Sequence, residues 1–147
     1  MNALRFRSGQ IHLRKFRIEA DTVIEPGTLV CLVADHVVPA DTLPTAADAA
    51  ASIAGVAHQR SEGGQTAAVS VDVSPLAVYE CDVTAGGYEV GDLLAVEVGT
   101  PNTLGMATGP DEAVAMAAEF TDAGKRLRVT LASTVCTAAN HALSQVG

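Results

Sequence analysis

Short runs in which apolar and polar residues alternate cover most of the chain, and they predict β-strands. In residues 67–73 the valines at every second position alternate with Ala68, Ser70 and Asp72, and residues 126–132 show the same period. Further strands are predicted at residues 28–34, 37–38, 53–58, 77–83, 93–98, 104–107 and 113–120. Turns are predicted at residues 61–64, 84–87 and 121–124. Thr45 and Asp48 form a possible capping box that predicts one short helix over residues 46–51.

One pattern occurs twice along the chain. Residues 53–71 overlie residues 113–131 without a gap, and each segment follows a glycine-initiated apolar run, GTLVCLVAD or GDLLAVEVGT. The overlay places Gly64 on Gly124, Ala57 on Ala117 and Val69 on Val129. Residues 113–120 are rich in helix-forming Ala, Met and Glu, but the repeat predicts a strand there because residues 53–58 are predicted as one.

The first 20 residues read as an extended segment with two faces. Leu4 and Phe6 are predicted to face one way, and the pair Arg14-Lys15 breaks the alternation as a bulge would. Such a segment is either an ordinary edge strand, whose charged side chains oppose pairing with other chains, or an arm that adds a strand to a partner's sheet. We favour the arm because its charge differs sharply from that of the remaining chain.

Together these patterns predict a mainly β protein, a small barrel or sandwich. We expect a small β-barrel domain built from two similar halves, with an extended N-terminal arm and at most one or two short helices. The predicted boundaries are an arm at residues 1–20, a β-rich body at residues 21–134 and a tail at residues 135–147. The half-repeats within the body span about residues 26–74 and 90–132.

Amino-acid composition indicates how the hydrophobic core is built. Its 147 residues are 48% hydrophobic but include no Trp, three Phe and two Tyr, so the core is built from small side chains. A core of this kind buries little area per residue, and we expect oligomer contacts to add stability.

Charge is divided unevenly along the chain. Five of the nine Lys and Arg residues lie within the first 17 positions, whereas all 17 acidic residues occur from Glu19 onward, and the net charge is −8. An acidic body almost free of aromatic residues disfavours nucleic-acid binding.

The three cysteines, Cys31, Cys81 and Cys136, are odd in number and widely spaced, which is not typical of a disulfide framework. We expect them to be small apolar residues in a reducing compartment. The N-terminus has no secretory apolar region, and no apolar run approaches membrane-spanning length. A soluble protein made in a cytoplasm, without membrane partners, is therefore expected.

No residue pattern predicts catalysis. The spacing Cys-x4-His occurs at Cys31/His36 and Cys136/His141, but it is not that of a zinc finger or ribbon. The acidic pairs Asp111/Glu112 and Glu80/Asp82 are explained more simply by a solvated face, and the common nucleophile, phosphate and dinucleotide motifs are missing. We expect no enzyme activity, no metal and no cofactor.

Four segments carry a resemblance to a known family: PGTLV at residues 26–30, IAGVAHQRSEGGQTAAVSV at 53–71, YEVGDLLAVEVG at 88–99 and AVAMAAEFTDAGKRLRVTL at 113–131. Their order resembles that of the small capsid decoration (cement) proteins of tailed bacteriophages, over roughly residues 25–132. The resemblance implies a β-tulip-like fold and a homotrimer on the outside of a phage head. It also implies a structural role in the virion, in which the protein holds major capsid subunits together in the expanded shell.

In that setting the N-terminal arm is the expected shell-contacting segment, and no nucleic-acid or membrane partner is expected. Its apolar members would anchor the arm, and its cations would pair with shell carboxylates. The candidate contact residues are Leu4, Arg5, Phe6, Arg7, Ile11, Leu13, Arg14, Lys15, Phe16, Arg17 and Ile18. The alternative is a small β-barrel binding module for a nucleic acid or a carbohydrate.

Overall fold

A computed structural model describes residues 3–61, 64 and 67–135 of the chain. This part of the chain is mainly β-structure, with one short α-helix and two 3₁₀ helices. The strands are β1 (Arg5–Ser8), β2 (Leu13–Phe16), β3 (Leu29–Val33), β4 (His36–Pro39), β5 (Ile53–Ala57), β6 (Val69–Asp72), β7 (Val78–Tyr88), β8 (Leu93–Val96), β9 (Thr103–Met106), β10 (Ala115–Ala117) and β11 (Thr121–Leu131). The helix α1 spans Ala46–Ser52, and the 3₁₀ helices span Ala40–Thr42 and Pro110–Glu112.

The later strands close into a five-stranded barrel, the second barrel of the chain. Its strands follow the order β7-β11-β10-β8-β9, and β9 returns to pair with β7. All of these pairings are antiparallel except the closing one, in which Asp82 and Val83 of β7 run parallel to Thr103 and Leu104 of β9. Because β9 pairs with both β8 and β7, the five-strand order has no free end strand, and β1 is added to β7 next to the closing contact.

The earlier strands form a five-stranded sheet in the order β2-β6-β5-β3-β4, which we call the first barrel. Its two outer strands approach each other through an isolated parallel bridge between Arg17 and His36. The backbone N–H of Val37 donates to the carbonyl oxygen of Arg17 at 2.9 Å in this bridge. The closing contact therefore has the same parallel sense as the one in the second barrel, but it is much shorter.

The two barrels share one strand order, as expected for two similar halves. Each half begins before its predicted boundary, however, because β2 and β7 lie outside the half-repeats predicted at about residues 26–74 and 90–132. β2, β3, β4, β5 and β6 occupy the same places in the first sheet as β7, β8, β9, β10 and β11 in the second. The ambiguous segment after Glu112 does form a strand, β10. Helix α1 precedes β5, and the 3₁₀ helix Pro110–Glu112 precedes β10.

The gapless overlay of the repeat is displaced by two residues in its second strand. Ala57 pairs with Val71, whereas Ala117 pairs with Val129, so Val71 and not Val69 is the structural equivalent of Val129. A shift of two residues keeps every side chain on its predicted face. The gapless overlay therefore matched the apolar positions of the two strands although their structural equivalents are displaced.

Two buried clusters correspond to the two barrels. The first barrel packs valines and alanines from β3 to β6 around Ile24. The second barrel contains Tyr79, Cys81, Leu94, Leu127 and other apolar residues, and this cluster continues onto the outer face of β3 and β5 and onto α1. The two barrels therefore pack against each other through one continuous apolar cluster.

Helix α1 begins as predicted, because the Thr45 hydroxyl accepts a hydrogen bond from the Asp48 N–H at 3.1 Å.

Several local predictions were wrong. The predicted turns at residues 84–87 and 121–124 are instead parts of β7 and β11, which form a long ribbon in which Gly86 pairs with Gly124. The bulge predicted at Arg14-Lys15 is absent, since β2 pairs with β6 in unbroken register, and the register shift lies between Phe6 and Ser8. Of the turn predicted at residues 61–64, Glu62 and Gly63 lie outside the described residues.

Candidate functional site: the N-terminal edge

The N-terminal segment is built into both barrels as their outer edge. β1 pairs with the start of β7, from Arg5 opposite Glu80 to Ser8 opposite Val78. β2 pairs with β6, from Leu13 opposite Asp72 to Phe16 opposite Val69. Residues 5–16 therefore run antiparallel to the stretch that connects the two barrels. We call residues 5–17 the N-terminal edge.

A glycine allows this edge to follow the connection between the barrels. Gly9 has φ +93°, and a Cβ there would collide with the carbonyl oxygen of Leu76. A larger residue would also have to adopt a left-handed backbone conformation. The close approach at Gly9 keeps β1 and β2 on one continuous path.

The predicted contact residues divide into two groups. Leu4 and Ile18 are buried, in the second and the first core respectively, and Phe16 packs partly against the first core. These three side chains hold the edge on the body and offer little or no surface to a partner. The remaining candidates are all exposed: Arg5, Phe6, Arg7, Ile11, Leu13, Arg14, Lys15 and Arg17.

The cations of the edge are unequally engaged by acidic groups. Glu80 binds Arg7 at 3.0 Å and Arg5 at 3.6 Å, and the Arg7 hydrogen bond lowers the pKa of the Glu80 carboxyl. Arg17 pairs with Asp35 at 3.2 Å. Lys15 donates to the side-chain oxygen of Gln59 at 3.1 Å, which is a neutral partner.

Arg14 has neither an ion pair nor a side-chain hydrogen bond within the part of the chain that the structure describes. Its guanidinium can therefore meet a carboxylate without first breaking an internal pair. β2, at Arg14 and Lys15, is the part of the edge where positive charge is least compensated by carboxylates.

A buried carboxylate fastens the edge to the body. Asp72 is only 2% exposed, and its Oδ1 accepts hydrogen bonds from the backbone N–H of His12 at 2.9 Å and of Ser74 at 3.0 Å. Its Oδ2 accepts from the Tyr79 hydroxyl at 2.6 Å. The Tyr79 oxygen also lies 2.7 Å from Nε2 of His58. One carboxylate thus joins the edge, the connection and both barrels.

Burial, reinforced by the hydrogen bond to Asp72, raises the pKa of the Tyr79 hydroxyl. The hydroxyl therefore remains protonated and keeps donating to Asp72. The alternation of β6 predicted an outward Asp72 beside Ser70, so sequence reasoning missed this group. The available signal was the spacing Asp72-x-Ser74-Pro75, which is typical of a turn in which an aspartate accepts from the N–H two residues later.

Among the residues that the structure describes, the other chemistry-bearing side chains lie apart from one another. Burial raises the pKa of the Cys31 thiol to about 11 and that of Cys81 to about 12, so neither is a thiolate at neutral pH. Cys31 donates to the Ala49 carbonyl oxygen, and His36 lies beside Glu19 and Asp35. The second Cys-x4-His pair, Cys136 and His141, lies outside the described residues.

The acidic pairs are likewise engaged in local contacts. Glu112 accepts from the Thr108 hydroxyl and N–H, and Asp82 pairs with Arg126 at 3.6 Å. Within residues 3–61, 64 and 67–135, no three His, Cys, Asp or Glu residues are grouped so that they could hold a metal ion. The N-terminal edge combines exposed cations with exposed apolar side chains on a chain of net charge −8.

None of the helices described is both long enough and apolar enough to cross a membrane. Comparison of the chain with models of known protein families gives no match, and comparison with curated protein sequences gives none either.

Proposed function

We propose that this protein is a structural component of a phage head, which binds the outside of the shell and stabilises it in the expanded state. The observation that carries the proposal is the N-terminal edge itself. It places exposed cations and exposed apolar side chains in one line on a protein that is otherwise acidic. A surface of this kind suits docking against an acidic protein surface.

The apolar part of the edge supports protein binding over binding to a polyanion. Phe6, Ile11 and Leu13 are 43%, 41% and 47% exposed, respectively. Burying such side chains against a partner yields about 25 cal/mol for each Å² of apolar surface removed from water. Phosphate-backbone binding would use the cations and leave these side chains in solvent.

Buried residues next to the edge hold it rigidly on the body. Leu4 and Ile18 are buried at its two ends, and Asp72 holds its centre. A preorganised edge loses little conformational freedom on binding, so more of the contact energy appears as affinity. The protein acts in this proposal as a rigid clamp that bridges neighbouring major capsid subunits.

The mechanism is linkage. A protein that binds only the expanded shell stabilises that state in proportion to the logarithm of its free concentration over its Kd. In the proposed homotrimer, three edges bind one shell surface, and each later contact forms at the high effective concentration set by the first. Weak single contacts are then sufficient to hold capsomers together.

The test is to add purified protein to expanded heads that lack it, followed by sedimentation and imaging of the head surface. Saturable binding at repeated surface positions supports the proposal, and failure to bind such heads refutes it. An oligonucleotide that binds the edge more tightly than heads do would favour the alternative binding module.

A matched pair of charge reversals tests the proposed surface. Arg14→Glu and Lys125→Glu change the net charge equally at exposed positions, but only Arg14 belongs to the N-terminal edge. We expect Arg14→Glu to weaken head binding at least about tenfold, a loss of about 1.4 kcal/mol, and Lys125→Glu to have little effect. Equal losses from both variants would show that overall charge, and not this edge, controls binding.

A further inference from the structure

One difference between the two barrels lies in the strands beside β7 and β2. In the second barrel, β7 has β11 on one side, and on its other side it has both β9 and β1. β9 contacts β7 at Asp82 and Val83, whereas β1 covers the three residues from Val78 to Glu80. Four residues of the chain's own N-terminus thus complete that edge.

In the first barrel, β2 occupies the place of β7. It pairs with β6 as β7 pairs with β11, and its parallel contact to β4 lies at Arg17. When Arg17 is placed on Asp82, residues 13–15 fall on residues 78–80, which are the residues that β1 covers in the second barrel. In the described ranges, no strand lies beside residues 13–15 on this side.

The hydrogen-bond pattern between β2 and β6 shows which backbone groups of β2 point towards the open position. The N–H of Val73 donates to the carbonyl oxygen of His12 at 2.9 Å. Because backbone direction alternates along an antiparallel strand, Arg14 and Phe16 point their backbone groups towards β6. The N–H and C=O groups of Leu13 and Lys15 therefore point away from β6, towards the open position.

We propose that the open edge of β2 binds an extended strand of a partner protein, in the position that β1 fills on β7. This inference rests on the proposed function, in which the partner is a segment of the shell. Backbone hydrogen bonds to Leu13 and Lys15 fix the strand, as in other complexes formed by strand addition. The internal duplication shows that a barrel of this topology accepts a strand there.

The side chains around the open edge define the chemistry of the incoming strand. Ile11 and Leu13 present exposed apolar surface, and Arg14 and Lys15 have no carboxylate partner among the described residues. An alternation of apolar and acidic residues complements this pattern. Like charges at an edge strand oppose pairing with a second identical edge, so the cations favour an acidic partner over another copy of this chain.

The first test uses a peptide of defined sequence, acetyl-VEVEVEV-amide, with the ¹⁵N-labelled full-length protein. We expect the amide signals of Leu13 and Lys15 to shift and their hydrogen exchange to slow, whereas the amides of Arg14 and Phe16 change less. The absence of any change at these two amides at millimolar peptide would overturn the proposal. This measurement needs no variant and does not depend on heads.

The second test removes one backbone donor. Lys15→Pro deletes an N–H that points away from β6, a position at which an edge strand tolerates proline. Lys15→Ala is the matched control, because it removes the same side chain and keeps the N–H. We expect Lys15→Pro to bind the peptide at least about tenfold more weakly than Lys15→Ala, with both variants folded by circular dichroism; equal affinities would contradict strand addition.

The same pair of variants separates this inference from the proposed function. If heads bind Lys15→Pro and Lys15→Ala equally, the protein is a decoration protein that does not dock through this edge, and the inference fails. If wild-type protein binds the peptide through Leu13 and Lys15 but never binds heads, the docking edge stands and the proposed function fails.

Discussion

The hydroxyl of Tyr79, in the second barrel, donates a 2.6 Å hydrogen bond to the buried carboxylate of Asp72, at the end of the first. Asp72 also accepts from the backbone of His12 and Ser74. The two barrels, their connection and the N-terminal edge therefore meet at a single carboxylate. Stability and edge geometry should both respond to its loss.

Tyr79→Phe removes this donor and leaves one oxygen of Asp72 buried without its partner. We expect a loss of about 1–3 kcal/mol in the free energy of unfolding, measured by urea denaturation. Tyr88→Phe is the control, because the Tyr88 hydroxyl donates to the carbonyl oxygen of Thr84 and not to a charged group. A loss for Tyr79→Phe no larger than that for Tyr88→Phe would show that Asp72 finds an equivalent partner.

Close packing between β5 and β6 requires glycine at position 55. A Cβ on Gly55 would collide with the carbonyl oxygen of Asp72, a backbone atom that cannot turn away. We expect Gly55→Ala to destabilise the protein by about 3 kcal/mol, the upper end of the usual overpacking cost. Gly86→Ala also substitutes a strand glycine, but its Cβ would meet nothing closer than 4.0 Å.

The measurement for both glycine variants is the midpoint of thermal unfolding. Gly86→Ala should leave the midpoint nearly unchanged, whereas Gly55→Ala should lower it by several degrees. If the two variants unfold at the same temperature, the first barrel can relax around the added methyl group.

The sequence predicted those features that depend on local periodicity. Alternation along residues 77–83 sets Tyr79, Cys81 and Val83 on one face, and alternation along residues 126–132 turns Leu127, Val129 and Leu131 inward. All six side chains are buried. The duplication was visible for the same reason, since it repeats the order of apolar runs and glycine turns.

The features that sequence reasoning missed depend on contacts between distant residues. Alternation assigned Asp72 to the solvent side, but its surroundings are set by His12 and Tyr79 from other strands. The turns predicted around Gly86 and Gly124 became strand because each segment pairs with the other across the ribbon.

The sequence singled out the residues of the N-terminal segment but did not predict where they lie in the fold. The segment is extended as predicted, but it pairs with β7 and β6 of this chain as edge strands and is not the separate arm that we favoured. Nothing local indicated that Leu4 would enter one core and Ile18 the other. Deletion of residues 1–18 would therefore remove two strands together with the proposed contact surface. Single substitutions at exposed positions are the cleaner test.

The pairing of Arg5 and Arg7 with Glu80 makes attachment of β1 dependent on pH. The pKa of Glu80 is lowered in the folded protein, chiefly by its hydrogen bond with Arg7. A lowered folded-state pKa contributes stability above the unfolded-state value, about 4.3 for glutamate, and this contribution is lost as the pH falls through the folded-state pKa. Wild-type protein should therefore exceed Glu80→Gln in stability at pH 7 by at most about 1 kcal/mol.

The difference between the two proteins should shrink as the pH falls below the folded-state pKa of Glu80, where its carboxyl is protonated, when urea unfolding is followed from pH 7 into acid. Glu112→Gln is a control that removes a carboxylate with a lowered pKa but no arginine partner. A Glu80→Gln difference that persists unchanged in acid would mean that Glu80 acts through packing and not through charge.

Cys31 and Cys81 should be unreactive in the folded protein. Both are at most 2% exposed, and burial raises their thiol pKa to about 11 and about 12, so the reactive thiolate is a very small fraction at pH 8. In a Cys136→Ser variant, treatment with iodoacetamide at pH 8 should leave both thiols unmodified by mass spectrometry until urea unfolds the chain. Rapid modification of Cys81 in the native protein would contradict this prediction. Modification of Cys31 alone would instead place the first opening of the fold at the contact between β3 and α1, where its Sγ donates to Ala49.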